Sequence, residues 1–112
     1  MKKVLLLSLL LLLAVGVLSA AETWSKVSLL DANCAAKSKA DPDKHTVQCA
    51  LHCADSGLGI LTTDGSFLKF DKTGNQKALA ALKATKKVDH LRATVTGERE
   101  GDVIKVQSLK LD

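Results

Sequence analysis

The sequence predicts a small α+β domain, mainly β, in which five short strands and two helices follow an N-terminal export signal. Three observations support this prediction: a long apolar segment at the start, apolar and polar residues that alternate in the second half, and turn residues between short apolar runs. The chain has 112 residues, a single proline and no internal repeat, and this length fits one domain.

Residues 1–21 have the three parts of a cleavable secretory signal peptide. Lys2 and Lys3 form a positive start, residues 4–18 are apolar apart from one serine and one glycine, and residues 19–21 are small. The apolar run has 15 residues, whereas a helix that spans a membrane needs about 20. We therefore expect cleavage after Ala21, a secreted or periplasmic protein, and no transmembrane segment in residues 22–112.

Removal of the signal lowers the charge of the domain. The 16 basic residues fall to 14 without Lys2 and Lys3, against 12 acidic residues, so the formal charge falls from +4 to +2. Binding of single-stranded nucleic acid needs aromatic platforms and a basic groove. The predicted domain has only three aromatic residues, Trp24, Phe67 and Phe70, so no nucleic-acid partner is expected.

The first half of the domain is predicted to form a strand, a connector and a helix. Residues 24–30 are rich in β-branched and aliphatic side chains, which predicts a strand, and Cys34 lies in the connector that follows. Asp41 is a good N-cap with Pro42 at the first helical position, and Gly57 ends the helix. Its apolar stripe comprises Val47, Ala50, Leu51 and Ala54.

The second half is predicted to form two strand pairs separated by a helix. The dipeptide Asp64-Gly65 between short apolar runs predicts a two-residue hairpin turn. Asn75 is expected to cap the second helix. Alternation predicts a strand around residues 91–95, a turn over residues 97–102, and a last strand over residues 103–111 with a bulge near Gln107-Ser108, where the apolar phase slips. Five short strands with a helix between the third and fourth is the element order of an OB-fold barrel, with the first helix as an insertion after strand one.

The end of the chain supports the same fold through a resemblance. Residues 95–109 read VTGEREGDVIKVQSL, and this stretch resembles the closing hairpin of small exported bacterial OB-fold-like proteins of an uncharacterised family. A cysteine after strand one and a helix with spaced cysteines are similar to the same proteins, so the resemblance covers most of residues 24–111. It implies the fold and no particular activity.

Cysteines and histidines are the only concentration of reactive side chains. An exported domain meets an oxidising compartment, where cysteines pair, and three cysteines leave one thiol over. If strands one and two pair antiparallel, Cys34 and Cys53 lie at neighbouring strand ends, so we expect a Cys34–Cys53 disulfide, with Cys34–Cys49 as the alternative. A bridge that closes a loop of this length adds about 3 kcal/mol of stability.

The alternative is a metal site for zinc or Cu(I). Its candidate ligands are Cys34, His45, Cys49 and Cys53, a Cys₃His set that suits tetrahedral zinc, and thiolates also suit Cu(I). On one continuous helix His45 and Cys53 would be about 12 Å apart, too far for one ion. One adjacent pair of these helix residues could bind an ion together with Cys34, but all four can bind one ion only if the helix begins after His45.

Catalytic chemistry has little support in the sequence. The chain has no C-x-x-C, G-x-S-x-G, phosphate-binding loop or H-E-x-x-H motif. His45, one turn before Cys49, could lower the pKa of that thiol, but a single such pair is a weak signal. The sequence therefore predicts a non-catalytic binding or structural domain of the cell envelope, without a cofactor and with one disulfide, or in the alternative a metal-binding protein.

Overall fold

Five strands close into a barrel in the computed structural model, which describes residues 21–112. The strands are Glu22–Asp31 (β1), Leu58–Leu61 (β2), Phe67–Phe70 (β3), Arg92–Glu100 (β4) and Val103–Leu111 (β5). Their order around the barrel is β1-β2-β3-β5-β4, and β4 pairs with β1 to close it. The pair β3–β5 is parallel and the other pairs are antiparallel. The predicted OB-like α+β barrel is confirmed.

Residues 21–112 also form three α-helices. They are Ala35–Ser38 (α1), Val47–His52 (α2) and Lys72–Ala84 (α3), and short 3₁₀ turns occur at Pro42–Lys44 and Ala54–Ser56. The first two helices belong to the connection between β1 and β2, and α3 joins β3 to β4. The connection between β1 and β2 is therefore the longest connection between two strands of the barrel, and it contains every cysteine of the chain.

The core consists of inward-facing strand residues together with one side of α2 and of α3. Its fully buried members include Leu29, Leu58, Ile60, Leu68, Val95 and Ile104 from the strands and Ala50, Ala78 and Leu82 from the helices. Strand β4 shows the expected alternation of buried and half-buried residues over residues 92–98.

No helix among residues 21–112 is both long and apolar enough to cross a membrane. The predicted signal peptide lies outside the described residues, except for Ala21.

The first predicted helix begins later than its sequence indicates. Pro42–Lys44 forms a separate 3₁₀ turn, and His45 and Thr46 are extended. Thr46 is the true N-cap of α2, because its hydroxyl oxygen accepts a hydrogen bond from the Cys49 N–H at 3.1 Å. The prediction of a helix start at Asp41 is wrong. His45 precedes the helix and therefore does not lie on the same helical face as Cys49 and Cys53.

The second predicted helix begins earlier than its sequence indicates. Asp71 is the N-cap of α3, and its carboxylate accepts a hydrogen bond from the Gly74 N–H at 2.9 Å. Asn75, the predicted cap, instead accepts a hydrogen bond from the Leu58 N–H at 2.8 Å. Its side chain thereby ties the first turn of the helix to the start of β2.

Two predicted turns differ in length from the observed ones. The Asp64-Gly65 connection is longer than two residues, since Thr62 N–H donates to Ser66 O and Gly65 N–H donates to Thr62 O. The turn predicted at residues 97–102 is shorter, because β4 continues to Glu100. Gly97 lies inside β4, where a Cβ atom would be 2.3 Å from the Lys105 carbonyl oxygen, so glycine is needed for strand pairing rather than for a turn.

The bulge predicted in the last strand is confirmed. Thr96 pairs with Ser108 and Gly97 pairs with Val106, which leaves Gln107 as the extra residue of β5.

Candidate functional site: a thiol–carboxylate cluster

The antiparallel pairing of β1 and β2 brings the two ends of the cysteine-bearing connection together. Asp31, the last residue of β1, is the register partner of Leu58, the first residue of β2. Cys34 directly precedes α1, and Cys53 directly follows α2. The two cysteines are therefore placed beside each other by the pairing of the strands that flank them.

Asp31 completes a group of three potential ligands with these cysteines. A carboxylate oxygen of Asp31 and the sulfurs of Cys34 and Cys53 all lie within 4.8 Å of one another. We call these three residues the thiol–carboxylate cluster. Asp31 is fully buried and the two cysteines are half-buried, so the cluster lies at the boundary between the interior and solvent.

Both oxygens of the Asp31 carboxylate have hydrogen-bond partners. The His45 Nε2 atom lies 2.7 Å from Oδ1, and the Cys34 backbone N–H donates to Oδ2 at 2.9 Å. The first bond fixes the orientation of the carboxylate, and the second holds Cys34 close to it. Two partners satisfy a group that would otherwise be costly to bury at the end of a strand.

His45 supports Asp31 and does not approach the sulfurs as a ligand of the cluster. Its Nδ1 atom lies 3.4 Å from the Ser38 hydroxyl oxygen, so both ring nitrogens face polar partners inside the protein. This arrangement follows from the late start of α2, since the extended backbone before Thr46 turns the imidazole inward. Of the candidate ligands Cys34, His45, Cys49 and Cys53, the structure groups only Cys34 and Cys53, and it adds Asp31.

The surroundings of Cys34 favour its thiol over its thiolate. Burial raises the pKa of the Cys34 thiol above its ordinary value, and the Asp31 carboxylate and Cys53 raise it further. The Asn33 side-chain amide donates to the Cys53 sulfur at 3.6 Å. The Asp31 carboxylate disfavours a second negative charge on Cys34. The same carboxylate would favour a cation bound beside these two residues.

The third cysteine shares a surface pocket with the other two. This pocket has a volume of about 270 Å³ and is lined by Cys34, Gln48, Cys49, His52 and Cys53. Cys49 and His52 are exposed. The structure therefore gathers all three thiols of the chain around one opening to solvent. The remaining histidine, His90, is exposed and pairs with Asp89.

The predicted Cys34–Cys53 disulfide is not formed in the structure, in which all three cysteines are thiols. The prediction of proximity was right, since these sulfurs lie within 4.8 Å, but a disulfide needs about 2.05 Å. The alternative partner, Cys49, is not a member of this close group.

Asp31 is the site residue that the sequence analysis missed. One signal could have indicated it: a carboxylate directly after an apolar strand and three residues before a cysteine. The comparisons with known proteins give no further guide, because no family profile, curated protein or solved structure matches the chain. The resemblance to exported OB-fold-like proteins stays a prediction.

Proposed function

We propose that this protein is an exported, non-catalytic metal-binding domain of the cell envelope that holds zinc at the thiol–carboxylate cluster. The observation that supports the proposal best is the approach of the Asp31 carboxylate and the Cys34 and Cys53 sulfurs to within 4.8 Å of one another. Zinc binds cysteine sulfur, histidine nitrogen and carboxylate oxygen in proteins. Cu(I) is the less favoured ion, because it prefers soft ligands and would make little use of Asp31.

The hydrogen bonds around Asp31 also suit a metal ligand. Carboxylates that bind metals are themselves hydrogen-bonded, and such partners behind the ligands orient them and tune the affinity. His45 and the Cys34 N–H occupy these positions here. The raised pKa of Cys34 adds a pH dependence, because zinc must displace the thiol proton, so affinity should increase with pH.

The test is metal titration of reduced mature protein, residues 22–112. We expect one Zn²⁺ per chain and loss of that stoichiometric binding in a Cys34→Ser/Cys53→Ser variant. His90→Ala, which changes an exposed histidine outside the cluster, should bind as the wild type does. The same titration with Cu(I) decides between the two ions. Wild-type protein that binds neither ion, or a double cysteine variant that binds zinc unchanged, would refute the proposal.

Export is part of the proposal and has its own test. The positive start, the apolar run and the small residues 19–21 support cleavage after Ala21. N-terminal sequencing of periplasmic or secreted protein should begin at Glu22. An intact Met1 in the mature protein would contradict cleavage.

A disulfide-stapled binding or structural domain is the second candidate. It is favoured by the closeness of Cys34 and Cys53, which an oxidising compartment could join with a small movement. Thiol counting under denaturing, non-reducing conditions separates the two candidates. Protein isolated from the envelope with one free thiol and a Cys34–Cys53 bond supports the staple, whereas three free thiols with bound zinc support the metal site.

A further inference from the structure

Two residues of the cluster line a pocket that is open to solvent. Cys34 and Cys53 are half-buried and line this pocket, while Gln48, Cys49 and His52 are exposed around it. On the other side, Asp31 is fully buried against His45. An ion at the cluster would therefore meet protein on the Asp31 side and the open pocket on the other.

The cluster supplies three ligands, and zinc in proteins takes four. Two further side chains around the pocket carry ligand atoms, the Cys49 thiol and the His52 imidazole. Cys49 is four residues before Cys53, the C-cap of α2, and residues at this spacing lie on the same face of a helix. The Cys49 sulfur is not within the 4.8 Å group, so its exposed side chain has to rotate toward the cluster to bind the ion. His52 is adjacent to Cys53, and adjacent residues on a helix do not face each other.

We propose that Cys49 is the fourth zinc ligand and that the ion is taken up and released through the pocket that Cys49 borders. This inference rests on the proposed zinc site. Binding releases the protons of the three thiols to solvent, and no oxidation state changes. Because Cys49 is the most exposed of the four ligands, it dissociates first. The position it vacates then faces the pocket, where a thiol or carboxylate of a chelator or acceptor can bind the ion.

Co(II) substitution tests the ligand assignment. The charge-transfer absorption from thiolate to Co(II) grows with the number of bound thiolates, so Cys49→Ser should lower it by about one third, from three thiolates to two. His52→Ala is the matched control from the same helix and should leave the band unchanged. Because Cys49 is exposed, its serine variant should fold, which a far-ultraviolet circular dichroism spectrum can verify.

The outcomes separate this inference from the proposed function. If the wild type takes up neither Zn²⁺ nor Co(II), the metal site itself is refuted. If the wild type binds Co(II) and Cys49→Ser keeps the full band, only the role of Cys49 is refuted. A spectrum altered by His52→Ala and not by Cys49→Ser would assign the fourth position to His52 and overturn the inference.

The rate of zinc release tests the role of Cys49 in release. Zinc-loaded protein is mixed with excess EDTA, and the loss of zinc from the protein is measured over time. Cys49→Ser should release zinc at least about tenfold faster than the wild type, since even loss of a hydrogen-bond partner behind a ligand costs that much affinity. His52→Ala should release it at the wild-type rate. Equal rates for wild type and Cys49→Ser would contradict the assignment of Cys49 as the ligand that controls release.

Discussion

The imidazole of His45 and the carboxylate of Asp31 form a buried pair, with 2.7 Å between Nε2 and Oδ1, although the residues are 14 positions apart in the sequence. His45 lies in the connection that carries the cysteines, and Asp31 ends a barrel strand. The pair therefore fastens this connection to the barrel and fixes the carboxylate beside Cys34 and Cys53.

Replacement of His45 by leucine should destabilise the metal-free domain by about 3 kcal/mol, because it leaves a buried carboxylate without one of its two partners. Urea denaturation of reduced protein measures the change. The exposed His52 provides the control, and His52→Leu should stay within about 0.5 kcal/mol of the wild type. In a double variant with Asp31→Asn, the loss should be smaller than the sum of the two single losses. A loss below about 1 kcal/mol in His45→Leu would show that the pair is not important for stability.

The three thiols should react with iodoacetamide in a fixed order. Cys49 is exposed and should react first at neutral pH. Cys34 should react last, because burial and the neighbouring Asp31 raise its pKa and only the thiolate is nucleophilic. Peptide mass spectrometry after short reaction times gives the order, and urea-denatured protein, in which the difference should vanish, is the control. Alkylation of Cys34 as fast as Cys49 would contradict the structure of the cluster.

Much of the barrel could be predicted because strand patterning is local. The alternation at Leu91, Ala93 and Val95 and the phase slip at Gln107 both appear directly in the sequence, and both are confirmed. Helix starts were less predictable because capping signals compete. Asp41-Pro42 is a good start signal locally, but the chain uses Thr46, and the same competition favours Asp71 over Asn75.

The closeness of Cys34 and Cys53 followed from one assumption, the antiparallel pairing of β1 and β2, which the register Asp31↔Leu58 confirms. Asp31 and the true role of His45 could not be found in this way. Their contact depends on the direction of the backbone just before α2, and an error of a few residues in the start of that helix moves His45 from an interior hydrogen bond to a helix face.

Substitution of Gly74 by alanine should destabilise the domain by about 1–3 kcal/mol. A Cβ atom at this position would lie 2.4 Å from Val106 Cγ2 and 2.8 Å from Phe70 Cβ, so α3 could not keep its close approach to the barrel. This loss should exceed the gain of up to about 1 kcal/mol from the higher helix propensity of alanine. Lys77→Ala, on the exposed side of the same helix, should change stability by less than about 0.5 kcal/mol. Thermal unfolding of both variants measures the effect, and a stabilised Gly74→Ala variant would contradict the packing.

The ion pair of Asp43 and Arg92 offers a second connection between the cysteine-bearing segment and the barrel. Arg92 Nε donates to Asp43 Oδ1 at 2.9 Å and Nη2 donates to Oδ2 at 3.0 Å, so the guanidinium binds both carboxylate oxygens. The Asp43 carbonyl also accepts from the His90 N–H at 3.0 Å. These bonds hold the 3₁₀ turn before His45 against the start of β4.

Asp43→Asn should lower the free energy of unfolding by about 0.5–1 kcal/mol, a modest loss because both side chains remain partly in contact with solvent. Asp41→Asn is the matched control: Asp41 pairs with Lys44 at 3.5 Å with both side chains largely exposed, and its loss should have no measurable effect. The hydrogen bonds from Arg92 lower the pKa of Asp43, so the pair stabilises the fold above the ordinary aspartate pKa, and this contribution disappears as pH falls through the lowered pKa. The difference between wild type and Asp43→Asn, measured by urea denaturation, should therefore be largest near neutral pH and shrink in acid. A difference that grows as the pH falls, or an equal loss in Asp41→Asn, would contradict a specific role for the bidentate pair.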